Sequence, residues 1–236
     1  MNVAQSQELQ ALPAMCYHCF DVLIDALQKQ KSNSPNGKRS KINADVPEFS
    51  YQLADASVEC PLFVTWEKKK RDDSYHLRGC IGTLSPKLLV TSVGDYALIS
   101  AFKDRRFNPI SLSELSSLRV AVSLLVKYEE CKDVFDWTVG IHGILIKFII
   151  RGVEYSATYL PEVAKEQRWD QQKTVASLVQ KAGYHGTLTD DLLKTIECTR
   201  YQSSKCRVTF EEYMLENCEG NDPTPKPRHW NSCNNL

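Results

Sequence analysis

The stretch from Ser117 to Tyr128 limits the possible folds more than any other part of the chain. Leu118, Val120, Val122, Leu124 and Val126 fall on one alternation, and Ala121 and Leu125 fall on the other. Successive side chains on a strand point to opposite faces, so apolar residues on both alternations predict a strand covered on both sides. Its neighbours are also legible. Pro61 to Glu67 is rich in β-branched and aromatic residues, and Tyr75 to Ile81 is extended again beyond the charged tip Lys68 to Asp73, which predicts a hairpin. Ile144 to Ile150 and Val153 to Tyr159 flank Arg151-Gly152, a second hairpin with glycine in its turn. Cys206 to Phe210 is a candidate strand.

Helical spacing alternates with these segments. Cys16, Cys19, Phe20, Leu23, Ile24 and Leu27 form one stripe within residues 15 to 28, and Leu89 to Phe102 carries another before the Asn108-Pro109 turn. Pro161 suits the first position of a short helix, Lys173 to Ala182 predicts a helix ending at Gly183, and Asp190 to Ile196 a further one. Strands joined by hairpins, with helices between them, predict an α+β fold. The 236 residues suit one folding unit with two parts, and its core is expected over residues 15 to 213. The polar segment 31 to 50, with Pro35, Gly37 and Pro47, is expected to be a linker or lid without regular structure. Residues 1 to 14 and the proline-bearing tail 214 to 236 are expected to be loose.

Composition then narrows function. Lys+Arg and Asp+Glu both number 29, so no uniform field is available to hold a polyanion, and 42% hydrophobic residues exclude a wholly disordered chain. Nine scattered cysteines without framework spacing predict reduced thiols in an intracellular protein, in cytoplasm, nucleus or both. Residues Met1 to Gln7 show no basic-then-apolar leader, and Asn2 stands where myristoylation needs glycine. The longest apolar run, Ile144 to Ile150, contains Lys147 and is too short for a span, so no membrane partner is expected.

Signatures of P-loop hydrolases, Rossmann dehydrogenases, zincins and α/β hydrolases are absent. Two shorter constellations remain. Cys16-Tyr17-His18-Cys19 is a C-x-x-C on a helix, but it lacks a second ligand pair and has one thiol on the apolar stripe. Buried thiols are therefore expected rather than a metal site, and no metal is assigned. Leu77-Arg78-Gly79-Cys80-Ile81-Gly82-Thr83 is the other. On a regular strand Arg78 and Cys80 share a face, about 6 to 7 Å apart, and a cation so placed favours thiolate. Gly79 and Gly82 leave room for a ligand or another backbone. The competing reading makes Cys80 a small core residue with glycines kept for packing.

With these pieces in view the chain resembles the AMMECR1 family. The resemblance is carried by Pro61 to Trp66, Leu77 to Thr83, Asp104-Arg105-Arg106-Phe107, Val139 to Gly143 and Thr158 to Glu166 with Trp169. Lys181 to Tyr184 and Thr199 to Tyr201 extend it. It implies an α+β fold, mostly antiparallel, with a larger and a smaller part separated by a cleft. It implies no reaction and no cofactor; relatives encoded beside Memo-like and radical-SAM proteins point to a shared pathway. Two readings stay open. In one, an enzyme or small-ligand protein uses Cys80 as nucleophile or contact, with His142 or Glu162 as proton acceptor and Arg78, Gly79, Gly82, Asp104, Arg106 and Tyr159 as ligand-binding candidates. In the other, the chain is a protein-interaction module and Cys80 packs. Nucleic-acid binding is a third and weaker reading, because both G-x-x-G stretches, Gly79 to Gly82 and Gly140 to Gly143, lie beside strands rather than between helices.

Overall fold

The computed structural model describes residues 9–32, 47–53 and 55–219. In chain order the elements are helix α1 (Pro13–Ser32), strands β1 (Glu59–Lys69) and β2 (Tyr75–Leu88), helix α2 (Leu89–Phe102) and strand β3 (Leu118–Glu130). They continue with β4 (Gly143–Ile150), β5 (Val153–Tyr159), α3 (Pro161–Glu166), α4 (Gln171–Lys181), α5 (Asp190–Thr195), β6 (Glu197–Thr209) and α6 (Phe210–Glu219). The fold is α+β. All six strands join one antiparallel sheet in the order β2-β1-β3-β6-β4-β5. The strand with apolar residues on both alternations, β3, lies in the interior of the sheet, as its pattern requires.

One sheet serves two cores. The larger core gathers Phe20 and Leu23 of α1, Trp66 of β1, Val93 and Ala97 of α2, and Val120, Val122 and Leu124 of β3. Trp66 is fully buried and its indole N–H donates to the Ala97 carbonyl at 2.9 Å, so a large apolar group is enclosed without an orphaned donor. The smaller core gathers Ile146 and Phe148 of β4 with Val175 and Leu178 of α4, Leu192 of α5 and Cys198 at the start of β6. Because β6 contributes Cys198 to the smaller core and Val208 to the larger, it ties the two parts together.

The local signals hold where the chain itself sets geometry. The β4–β5 turn has Arg151 at φ 51° and Gly152 at φ 80°, the left-handed pair that a two-residue hairpin uses. Gly183, at φ 97°, follows α4 where a left-handed residue ends the helix. Boundaries needed correction where distant parts dock. Leu9, Ala11, Leu12 and Ala14 pack against the larger core, so residues 9–14 are not loose. Residues 31 and 32 end α1, and Glu48–Gln52 forms a short 3-10 helix in which Phe49 is fully buried, its ring 5.6 Å from that of His18. One aromatic side chain supplies the apolar area that the rest of that segment lacks. Residues 33–46 lie outside the described residues. The tail expectation failed similarly at its start, because α6 runs through 214–219 and Met214 packs on the larger core; residues 220–236 lie outside the described residues.

Candidate functional site

Cys80 sits on the edge strand β2, opposite Thr65 of β1, which pairs with Ala121 of β3, which in turn pairs with Arg207 of β6. One row away Gly82, Phe63, Ser123 and Lys205 are aligned in the same way. Both rows belong to the alternation opposite Val64 and Trp66, hence to the sheet face that turns away from the larger core. On this face the Thr65 hydroxyl donates to Cys80 Sγ at 3.1 Å.

The outer edge of β2 is covered by the segment after α2. The Cys80 N–H donates to Asp104 Oδ2 at 2.9 Å, and Arg106 Nη2 donates to the Cys80 carbonyl at 3.1 Å. Arg106 also grips Asp104 through Nε at 3.0 Å and Nη2 at 2.7 Å, so the two side chains replace a missing neighbour strand at this residue. The nearly buried Asp104 carboxyl is held far below the usual carboxylate range, first by the Arg106 hydrogen bonds and then by the Cys80 amide, against its own desolvation.

Arg78 departs from its expected place. Trp66 pairs with Gly79 whereas Glu67 pairs with Leu77, so a bulge inserts Arg78 as an extra residue and breaks the alternation that would have set it beside Cys80. Its guanidinium instead binds Glu114 Oε1 at 2.9 Å and Oε2 at 3.1 Å, the Asn108 carbonyl at 2.7 Å and the Pro109 carbonyl at 3.2 Å. Glu114 also takes Lys68 at 2.9 Å and caps its own 3-10 turn through Ser111, and these partners lower its carboxyl to about 2 despite burial.

The cations that act on Cys80 are therefore Arg106 and Lys205. They and the Thr65 hydroxyl favour the thiolate, but burial is the larger effect and Asp104 opposes them, so the thiol is pushed up. The expected acidic Cys80 thiol is corrected accordingly: at neutral pH the sulfur is protonated. The glycines serve close packing. A Cβ on Gly79 would lie 2.2 Å from the Ser100 carbonyl oxygen, and one on Gly82 would lie 2.3 Å from that of Leu62 and 2.4 Å from the Phe63 ring.

The remaining candidates belong to the smaller part. His142 accepts the Thr138 N–H on Nδ1 at 3.0 Å, and its imidazole is pushed down by burial and by the Arg200 cation. The neighbouring Gly143 pairs with Tyr201, whereas the Cys80 row meets β6 at Arg207, six residues and about 20 Å farther along the strand. His142 and Cys80 are not brought together. Tyr159 is engaged locally, its hydroxyl 3.0 Å from Ser177 Oγ and its ring 4.4 Å from the Lys181 ammonium. Glu162 does approach the rows just described, through an ion pair to Lys205 at 3.6 Å.

Thr65, Lys205 and Glu114 were missed by sequence reasoning. Only the Ser111-x-x-Glu114 capping box gave a local signal; Thr65 and Lys205 carry none, because strand register alone sets them near Cys80. Concavities are found elsewhere: one of about 500 Å³ is lined by Pro61, Leu84, Pro86, Leu125 and Tyr128, and one of about 600 Å³ lies against α1 and α2. Cys80 lines neither. Among the described residues no cluster of three or more His, Cys, Asp or Glu could hold a metal ion, and no helix is long and apolar enough to cross a membrane.

Residues 16–206 match the AMMECR1 family. An uncharacterised protein of Schizosaccharomyces pombe is 43% identical over 84% of this chain and 93% of its own length. One from Arabidopsis thaliana is 40% identical over 85% of this chain and 86% of its own. Among solved structures, an uncharacterised protein from Pyrococcus horikoshii covers 82% of this chain and 91% of its own with a TM-score of 0.55; at 24% identity it speaks to the fold alone.

Proposed function

The chain belongs to the AMMECR1 family, and from that premise and the geometry of its sheet we propose that it binds a small ligand bearing an anionic group on the face around Cys80. The observation that carries this reading is the position of Lys205. This residue stands one row from Cys80 on the same sheet face, its charge is felt by the thiol, and it meets Glu162 only at 3.6 Å. A carboxylate or phosphate oxygen arriving there displaces a long ion pair rather than a short one, and the Thr65 hydroxyl and Cys80 thiol add polar contacts beside it. Asp104 and Arg106 hold the Cys80 backbone from the edge and so fix the position of the thiol. A protonated thiol is a ligand contact and a proton source, and this role suits a buried sulfur better than that of a resting nucleophile.

The test uses a variant that retains only Cys80, checked for cooperative unfolding. Iodoacetamide should modify it with a pH midpoint above that of free cysteine, about 8.5, and Lys205→Met should move the midpoint higher. Anionic metabolites that raise the thermal midpoint should also slow the alkylation, and Lys205→Met should abolish both effects. A thiol unreactive at every pH, with no metabolite binding, would leave the protein-interaction reading in its place.

A further inference from the structure

Four cysteines meet in pairs across different elements. Cys16 of α1 lies against Cys206 of β6, and Cys131, just after β3, lies against Cys198 of β6. All are reduced. The first pair is set by the way the start of α1 crosses β6: the Ala11 N–H donates to Ser204 Oγ at 3.0 Å, and one turn into the helix Cys16 Sγ lies 3.6 Å from the Cys206 carbonyl oxygen. The Cys16 thiol therefore lies against Cys206, and each of the two thiols influences the titration of the other. Cys16 is fully enclosed, whereas Cys206 is only half-buried.

We propose that Cys206 and Cys16 form a peroxide-reactive dithiol, with Cys206 attacking a hydroperoxide and Cys16 closing an α1–β6 disulfide. The asymmetry of the pair supports these roles. The neighbouring Cys16 thiol and the Arg207 amide favour the Cys206 thiolate, and together they outweigh burial and bring it down to about 7. Cys16 in turn is pushed up by its neighbour Cys206 and by its enclosure. In the first step Cys206 thiolate attacks one peroxide oxygen. An S–O bond forms, the O–O bond breaks, and the departing alkoxide or hydroxide takes a proton, leaving a sulfenic acid. In the second step Cys16 Sγ attacks the Cys206 sulfur, so that an S–S bond forms and the S–O bond breaks. The hydroxide released takes the Cys16 proton and leaves as water. Two thiols lose two electrons and one peroxide bond is reduced. Cys131 and Cys198 provide an internal control, since both are pushed up by burial and neither is held as thiolate near neutral pH.

The experiment treats the full-length folded protein with stoichiometric hydrogen peroxide, quenches with an alkylating agent and maps disulfides by mass spectrometry. A Cys16–Cys206 bridge should appear first, at a rate that rises through about pH 7, while Cys131 and Cys198 remain alkylated. Cys16→Ser should abolish the bridge and leave a Cys206 sulfenic acid that dimedone traps, and Cys206→Ser should abolish both products. The wild-type map stands even if a variant fails to fold. A Cys131–Cys198 bridge formed first, or a Cys206 left reduced while other thiols oxidise, would overturn the proposal.

Discussion

The two ends of the sheet use their signature residues differently. At the β2 edge, Arg78, Asp104 and Arg106 each make several hydrogen bonds, mostly to backbone or to one another, and Gly79 and Gly82 admit a carbonyl at a distance no side chain tolerates. At the β4–β5 end, His142 and Tyr159 each make one side-chain hydrogen bond, and Tyr201 reaches across Gly143 to hold β5. The lesson is that the stretch around Cys80 spends most of its residues on holding an edge strand in place. What it leaves free for chemistry is one thiol, together with whatever the sheet register sets beside it.

The contrast is broken most sharply at Gly79. Gly79→Ala forces a Cβ to 2.2 Å from the Ser100 carbonyl oxygen, which belongs to backbone and cannot rotate away. Its cost should be about 3 kcal/mol or more in urea denaturation. Gly152→Ala, at the other end, meets nothing within 4 Å and should cost only the strain of its positive φ, about 1 kcal/mol.

Acid sharpens the comparison next. Glu114 is lowered from 4.5 to about 2, so between those values the unfolded chain binds the proton more readily and acidification favours unfolding. Its contribution is complete above pH 4.5 and is lost as the pH falls through about 2, with Asp104 adding in the same direction. Urea midpoints measured from pH 6 down to pH 3 should fall by the equivalent of about 2 kcal/mol, and Arg78→Met should flatten most of that slope.

The smallest effect is expected in the smaller part. Tyr201→Phe removes a hydroxyl that donates to the Tyr159 carbonyl at 3.0 Å and lies 2.8 Å from Thr158 Oγ1. It should cost about 1 kcal/mol by denaturation. Hydrogen exchange should then speed up on β5 while the amide of Cys80 stays protected.

Much of the fold was legible because its signals are local. The α2 helix has the bounds that its apolar spacing predicts, and the Arg151-Gly152 turn sets the β4–β5 register within two residues. By contrast β6 was read only from Cys206 onward, because Glu197 to Lys205 offers no apolar alternation and becomes a strand by pairing with β3 on one side and β4 on the other. A resemblance carried by whole motifs pointed to the right family, yet it could not say what each motif residue touches.

The chain by itself determined its α+β class, the hairpins and most helices, since propensity and turn chemistry act over a few residues. Only the tertiary structure decided that a bulge turns Arg78 away from Cys80, that Lys205 and Thr65 stand near the thiol, that His142 lies far from it, and that Cys16 meets Cys206. These are outcomes of strand register and of a helix laid across a sheet. They depend on residues up to 190 positions apart, and no local periodicity records them.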